Sequence, residues 1–183
     1  MSVRGIQRAI LAVLVLASSV PARAAVIEVS DSGFTVREIA HVSVPASKVY
    51  AELLHPEHWW SPDHTFSQNA ANLSLDARAG GCFCERLPGG GSVQHLTVVA
   101  VRPGHGLTLR GALGPFQSQG VDGALSWQLT EQGGGTDVTL TYNMGGHLTL
   151  PGGFMDWSSR ADAMLGAQLA RLGRLVQNGS PGT

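Results

Sequence analysis

The side chains best placed to do chemistry begin in Ala79-Gly80-Gly81-Cys82-Phe83-Cys84-Glu85. Phe83 and Glu85 stand two apart in a stretch that reads as a strand, so a ring and a carboxylate share one face. If Phe83 enters an interior space, Glu85 enters with it. There the carboxylate would orient a ligand or act as a base with a raised pKa. The plainer alternative is a structural acid beside Arg86. His95 and Tyr142 are the other groups able to exchange protons with it, so Glu85, His95 and Tyr142 are the weak catalytic candidates.

Cys82 and Cys84 also share a face, and a bond between them would close a very small ring. They read as two small buried residues facing the core, because no helix N-terminus or basic cluster activates them. His55, His58, Asp63 and His64 form the densest group of potential metal ligands. Pro56 separates the two nearest histidines and no His-Glu-x-x-His spacing occurs, so the group reads as a solvated loop and no metal is expected. Phe116-Gln117-Ser118-Gln119-Gly120 lacks the first glycine of a nucleophile elbow, and Lys48 lacks the glycine-rich approach of a phosphate loop. No cofactor is expected.

Residues 1–24 have the layout of a secretory signal. Arg4 and Arg8 precede an apolar run from Ala9 to Ala17, which is too short for a membrane span, and Pro21 follows. Ala22-Arg23-Ala24 is a small-x-small cleavage pattern, placing the cut between Ala24 and Ala25 and the protein in the periplasm or outside the cell. Removing Arg4, Arg8 and Arg23 takes 12 basic residues to 9 against 13 acidic, a formal charge of −4. Such a surface does not attract nucleic acid or anionic lipid, and no stable membrane insertion is expected after cleavage.

The mature chain reads as a lead-in over 25–33, one domain over 34–178 and a tail over 179–183. A strand over 34–44 ends at Pro45, which opens a short helix through Val49, Tyr50, Leu53 and Leu54. His55 to Trp60 reads as a further helical turn or an ordered loop. Strands are expected near 72–78, 82–87, 93–102, 106–112, 122–131 and 136–145, punctuated by glycine-rich turns as in an antiparallel meander. Trp157, Ala161, Leu165, Leu169, Leu172 and Val176 then mark a long amphipathic helix. Its start is assigned to a Ser159-x-x-Asp162 capping box or to Asp156, and its end to Asn178-Gly179.

This order resembles the helix-grip fold, an α+β architecture in which a curved antiparallel sheet of about seven strands surrounds a long C-terminal helix. Val42 to Tyr50, Leu53-x-x-Pro56-x-x-Trp59-Trp60 and Gly134-Gly135-Thr136-Asp137-Val138 are similar to successive motifs of the START-like, polyketide-cyclase-type (SRPBCC) superfamily. Gly80 to Glu85 resembles the subgroup named for activators of the Hsp chaperone ATPase.

The resemblance implies a cavity between sheet and helix for a small hydrophobic molecule. Trp59, Trp60, Phe83, Glu85, Trp127, Leu140, Tyr142 and Met164 are the expected lining, with one tryptophan gating the cavity while the other packs. The leading expectation is an exported binding protein. A cyclase or dehydratase using the acid-base candidates and a protein-interaction module are the alternatives.

Overall fold

The structure is a computed structural model that describes residues 23–182. Of the expected signal segment, residues 1–24, residues 1–22 lie outside the described residues, as does Thr183. Strand β1 (Arg23–Ser30) and β2 (Gly33–Val42) are followed by helices α1 (Ala46–Leu53) and α2 (Pro56–Trp59). Then come β3 (Leu73–Leu75), β4 (Cys82–Arg86), β5 (Ser92–Arg102), β6 (Gly106–Arg110), β7 (Gly120–Gln132), β8 (Gly135–His147) and the long helix α3 (Gly153–Asn178). The eight strands form one antiparallel sheet in the order β1-β2-β8-β7-β6-β5-β4-β3, and α3 packs against β2 and β1. The fold is the α+β helix grip.

Strand alternation builds the inner face. Phe34, Val36, Ala40 and Val42 of β2, Leu125, Trp127 and Leu129 of β7, and Val138, Leu140, Tyr142 and Met144 of β8 are all buried. Ala161, Leu165, Leu169, Leu172 and Val176 of α3 meet them, burying apolar surface between the two layers. Among the described residues no helix is long and apolar enough to cross a membrane.

Three expectations are corrected. The lead-in contains an additional strand, β1, whose inward residues Val26 and Val29 are three apart because the pairing with β2 shifts between Val26 and Glu28. That bulge removes the two-residue period by which a strand is recognised. The expected strand over 72–78 is only Leu73–Leu75, after which the chain turns back at Arg78 to Gly81. Finally, α3 begins at Gly153 with no side-chain cap. Gly152 takes a left-handed φ of 84°, and a Cβ there would collide with the Asp156 carboxylate. The C-terminal expectation matches: Gly179 is left-handed and donates to the Leu175 carbonyl at 2.8 Å.

Candidate functional site

Beside the N-terminal half of α3 the grip does not close. A cleft of about 500 Å³ remains, walled by Trp60, Phe66, Phe83, Phe116, Tyr142 and Trp157. Met164 and Ala161 of α3 form its helical side, and Asp63, His64 and Arg160 are exposed at its margin. Arg160 stacks over the Trp157 ring at 4.9 Å, which sets a cation beside the aromatic wall.

The tryptophan pair has divided roles. Trp60 faces the cleft, packs edge-on to Phe83 at 5.4 Å and donates its indole N–H to the His64 carbonyl at 3.0 Å. Trp59 packs edge-on to Trp127 at 5.7 Å and donates to the Glu52 carbonyl. From α3, Arg171 donates to the Trp59 carbonyl at 2.8 Å and Gln168 accepts the Ser61 N–H at 2.8 Å. These bonds fasten the corner that carries both indoles.

Of the expected lining residues, Trp60, Phe83, Tyr142 and Met164 face the cleft. Trp59 and Trp127 do not line this cleft but a separate void of about 20 Å³ that Trp60 and Phe83 also border, and Leu140 is buried in the core. Glu85 sits behind the wall. It is 1% exposed, and its Oε2 accepts from the Phe66 N–H at 3.0 Å and contacts His95 Nε2 at 3.0 Å, while Oε1 accepts from the Ser67 N–H. Burial pushes its pKa up, but hydrogen bonds from Ser67, Phe66 and His95 together hold it below the ordinary carboxylate range. The expected raised pKa is therefore corrected, because burial here comes with donors.

His95 does line the cleft, with its ring tilted against Phe83 at 5.1 Å and Phe66 at 5.9 Å. Burial lowers its pKa against the upward pull of Glu85, so the imidazole is neutral. Opposite an ionised carboxylate, a neutral ring carries its proton on Nε2 and keeps a lone pair on Nδ1. Nδ1 has no hydrogen-bond partner among the described residues. A neutral imidazole backed by an ionised carboxylate is the arrangement of a general base.

Tyr142 does not join that pair. Its hydroxyl accepts from the Leu113 N–H at 3.2 Å and donates to the Gly111 carbonyl at 3.4 Å. Burial raises its pKa well above the ordinary phenol value, so it remains protonated and fixes the turn after β6. That turn supplies Leu113 to Phe116, cleft residues not anticipated from the sequence.

Cys82 and Cys84 face the side of β4 opposite Phe83 and Glu85 and are joined by a disulfide. Both the expected core-facing placement and the unbonded state are corrected. Inward Phe83 and Glu85 put the alternating Cys82 and Cys84 on the other face, and the two cysteine Cα atoms are 5.4 Å apart, within disulfide reach.

A second sealed carboxylate lies away from the cleft. Glu38 occupies an inward position of β2 under α3, is 0% exposed, and approaches Asp162. Neither Glu38 oxygen nor Asp162 Oδ1 has a hydrogen-bond donor among the described residues. Burial first, and then Asp162, push the Glu38 pKa up to about 8, so Glu38 is protonated at neutral pH. A Cβ on Gly166 would lie 3.1 Å from Glu38 Oε2, so glycine makes room for the acid.

Residues 33–177 match the sequence profile of the family described as polyketide cyclase / dehydrase and lipid transport. Comparison with curated proteins returns no match. Among solved structures, a conserved protein of unknown function from Enterococcus faecalis aligns with TM-score 0.57 and 13% identity, over 87% of this chain and 78% of its own. CalU16 from Micromonospora echinospora aligns at 0.52 and 16%, over 90% and 88%. The Aha1 dimer from Colwellia psychrerythraea aligns at 0.53 and 15%, over 79% and 97%. At these identities the likeness concerns the fold.

Proposed function

Because the chain belongs to the polyketide cyclase / dehydrase and lipid-transport family, we propose that it is an exported binding protein for a small hydrophobic, largely aromatic molecule. The observation that carries this reading is the cleft of about 500 Å³, whose wall is built from six aromatic side chains, Trp60, Phe66, Phe83, Phe116, Tyr142 and Trp157. Flat apolar faces bind flat apolar guests by stacking and area burial, and a volume of this size suits a small organic molecule. Within the family, the Gly80-to-Glu85 strand groups the chain with the relatives named for Hsp ATPase activation, a grouping by motif and not by activity.

Native mass spectrometry of protein purified from its own host is expected to show a retained small molecule. Ala161→Trp, which fills the cleft from α3, is expected to release it while the fold persists by circular dichroism. Retention of the molecule at full occupancy in that variant would overturn the reading. Export predicts that the mature chain begins at Ala25 on N-terminal sequencing, and recovery of the intact Met1 form outside the cytoplasm would refute it.

The Glu85–His95 pair favours a second reading, a cyclase or dehydratase acting on the bound molecule. His95 Nδ1 would take a proton from the ligand, and ionised Glu85 would stabilise the resulting imidazolium. Turnover would then rise with pH through the His95 titration, and His95→Gln would abolish it while leaving ligand retention in place. Equal turnover in that variant would exclude His95 as the base, and absence of turnover in the native chain would leave binding as the whole function.

A further inference from the structure

A group of metal-ligating side chains outside the cleft has no part in the function proposed above. At the corner between α1 and α2, one ligand atom from each of His55, Glu57 and His58 lies within 4.8 Å of the others. The two imidazole rings are stacked, 5.1 Å apart at 19°. His55 Nδ1 is 3.1 Å from Glu57 Oε1, and His58 Nδ1 is 3.1 Å from Glu52 Oε2. Two donors held by one tetrahedral ion at bond lengths of about 2.0–2.1 Å are separated by roughly 3.3 Å. Each histidine–carboxylate contact therefore already has the spacing of one edge of a zinc coordination shell.

Pro56, whose presence between the histidines argued against such a site in the sequence, is no obstacle in the structure. It is the first residue of α2, where proline fits without breaking the helix, and His55 is the preceding N-cap residue. His58 lies one turn on. Asp63 and His64 stand apart at the cleft margin. Their place is taken by Glu57 and by Glu52 from the last turn of α1, residues whose spacing did not suggest them. The backbone beneath is held by the Trp59 indole, which bonds the Glu52 carbonyl at 2.9 Å.

We propose that His55, Glu57 and His58, completed by Glu52, form a binding site for a divalent transition-metal ion of the zinc or copper type. Imidazole nitrogen with carboxylate oxygen is a donor set suited to these ions, and two carboxylates match the ionic charge. The ion would replace the protons now between nitrogen and oxygen; the two histidine side chains are exposed and the two carboxylates half-buried, and Glu52 would have to turn toward the centre set by the other three. Bound there, it would tie α1 to α2 directly beneath the Trp59-Trp60 pair.

Zinc chloride titrated into the chelator-treated chain, followed by calorimetry and thermal unfolding, tests this. The expected result is saturable binding of one zinc ion per chain with a raised melting temperature. His55→Ala/His58→Ala is expected to abolish it, and Glu57→Gln to weaken it by at least about tenfold. His41→Ala, which removes a histidine paired elsewhere with Asp137, should bind as the native chain does. Absence of saturable binding, or binding as tight in the double variant, would overturn the proposal. All the altered side chains are surface-accessible, and circular dichroism of each variant confirms that it is folded.

Discussion

Glu38 and Glu85 are equally sealed from water, yet the fold leaves them in opposite protonation states. Glu85 is met by two backbone N–H groups and an imidazole and stays ionised; Glu38 is met by another carboxyl and keeps a proton. Depth alone does not decide the charge of a buried acid, because hydrogen bonds to the charged form offset its desolvation. The ionised acid stands behind the cleft wall, bonded to His95. The protonated one stands in the packing between β2 and α3, with no visible part in the cleft.

Removing Glu85 should have the largest effect. Glu85→Ala leaves the Phe66 and Ser67 N–H groups and His95 Nε2 without an acceptor, and is expected to lower unfolding free energy by about 3–5 kcal/mol in urea titrations. A loss under about 1 kcal/mol would mean that solvent replaces those bonds. Glu38→Met should do the reverse, raising stability by about 1–4 kcal/mol at pH 9, since an apolar side chain of similar length replaces an unmatched charge. Destabilisation at that pH would show that Glu38 has a stabilising partner.

The two acids should also govern opposite limbs of the pH profile. The folded pKa of Glu38 lies above its ordinary 4.5, so its stabilising share is complete at low pH and is lost as pH rises toward about 8. The slope on that limb is at most about 1.4 kcal/mol per pH unit, and Glu38→Met should flatten it. The folded pKa of Glu85 is depressed, so its share is present above the ordinary carboxylate pKa and is lost as pH falls through the folded value. A profile unaffected by Glu38→Met would remove the contrast. Smallest is the effect of Gly166→Ala: alanine favours the helix by about 1 kcal/mol, a gain expected in a Glu38→Ala background and reduced in the native one by the close Glu38 oxygen.

Much of this architecture could be read from periodicity and turn chemistry. Leu125-Trp127-Leu129, Val138-Leu140-Tyr142 and the repeating leucines of α3 announce one face each, and Gly179 announces the helix end. Where the backbone departs from regular spacing, that language fails, as at the β1 bulge and at the left-handed Gly152. The site was half legible. Glu85, His95 and Tyr142 could be picked out by residue type, but their division of labour depends on donors from residues 66, 67 and 113, which come from irregular segments. Glu38 does carry a signal in the sequence: an acid in the inward register between Val36 and Ala40. Cys82 and Cys84 could have been assigned to the outer face from the inward placement of Phe83 alone.

That outward disulfide makes β4 a two-sided strand, with sulfur atoms on its back and the cleft wall on its front. Anything that crowds Phe83 or shifts Glu85 pulls on the same five residues that hold the sulfurs. If the proposed guest binds, the rate at which a small reductant opens the bridge is expected to differ between the empty and the filled cleft, and equal rates would show that the two faces of β4 are independent.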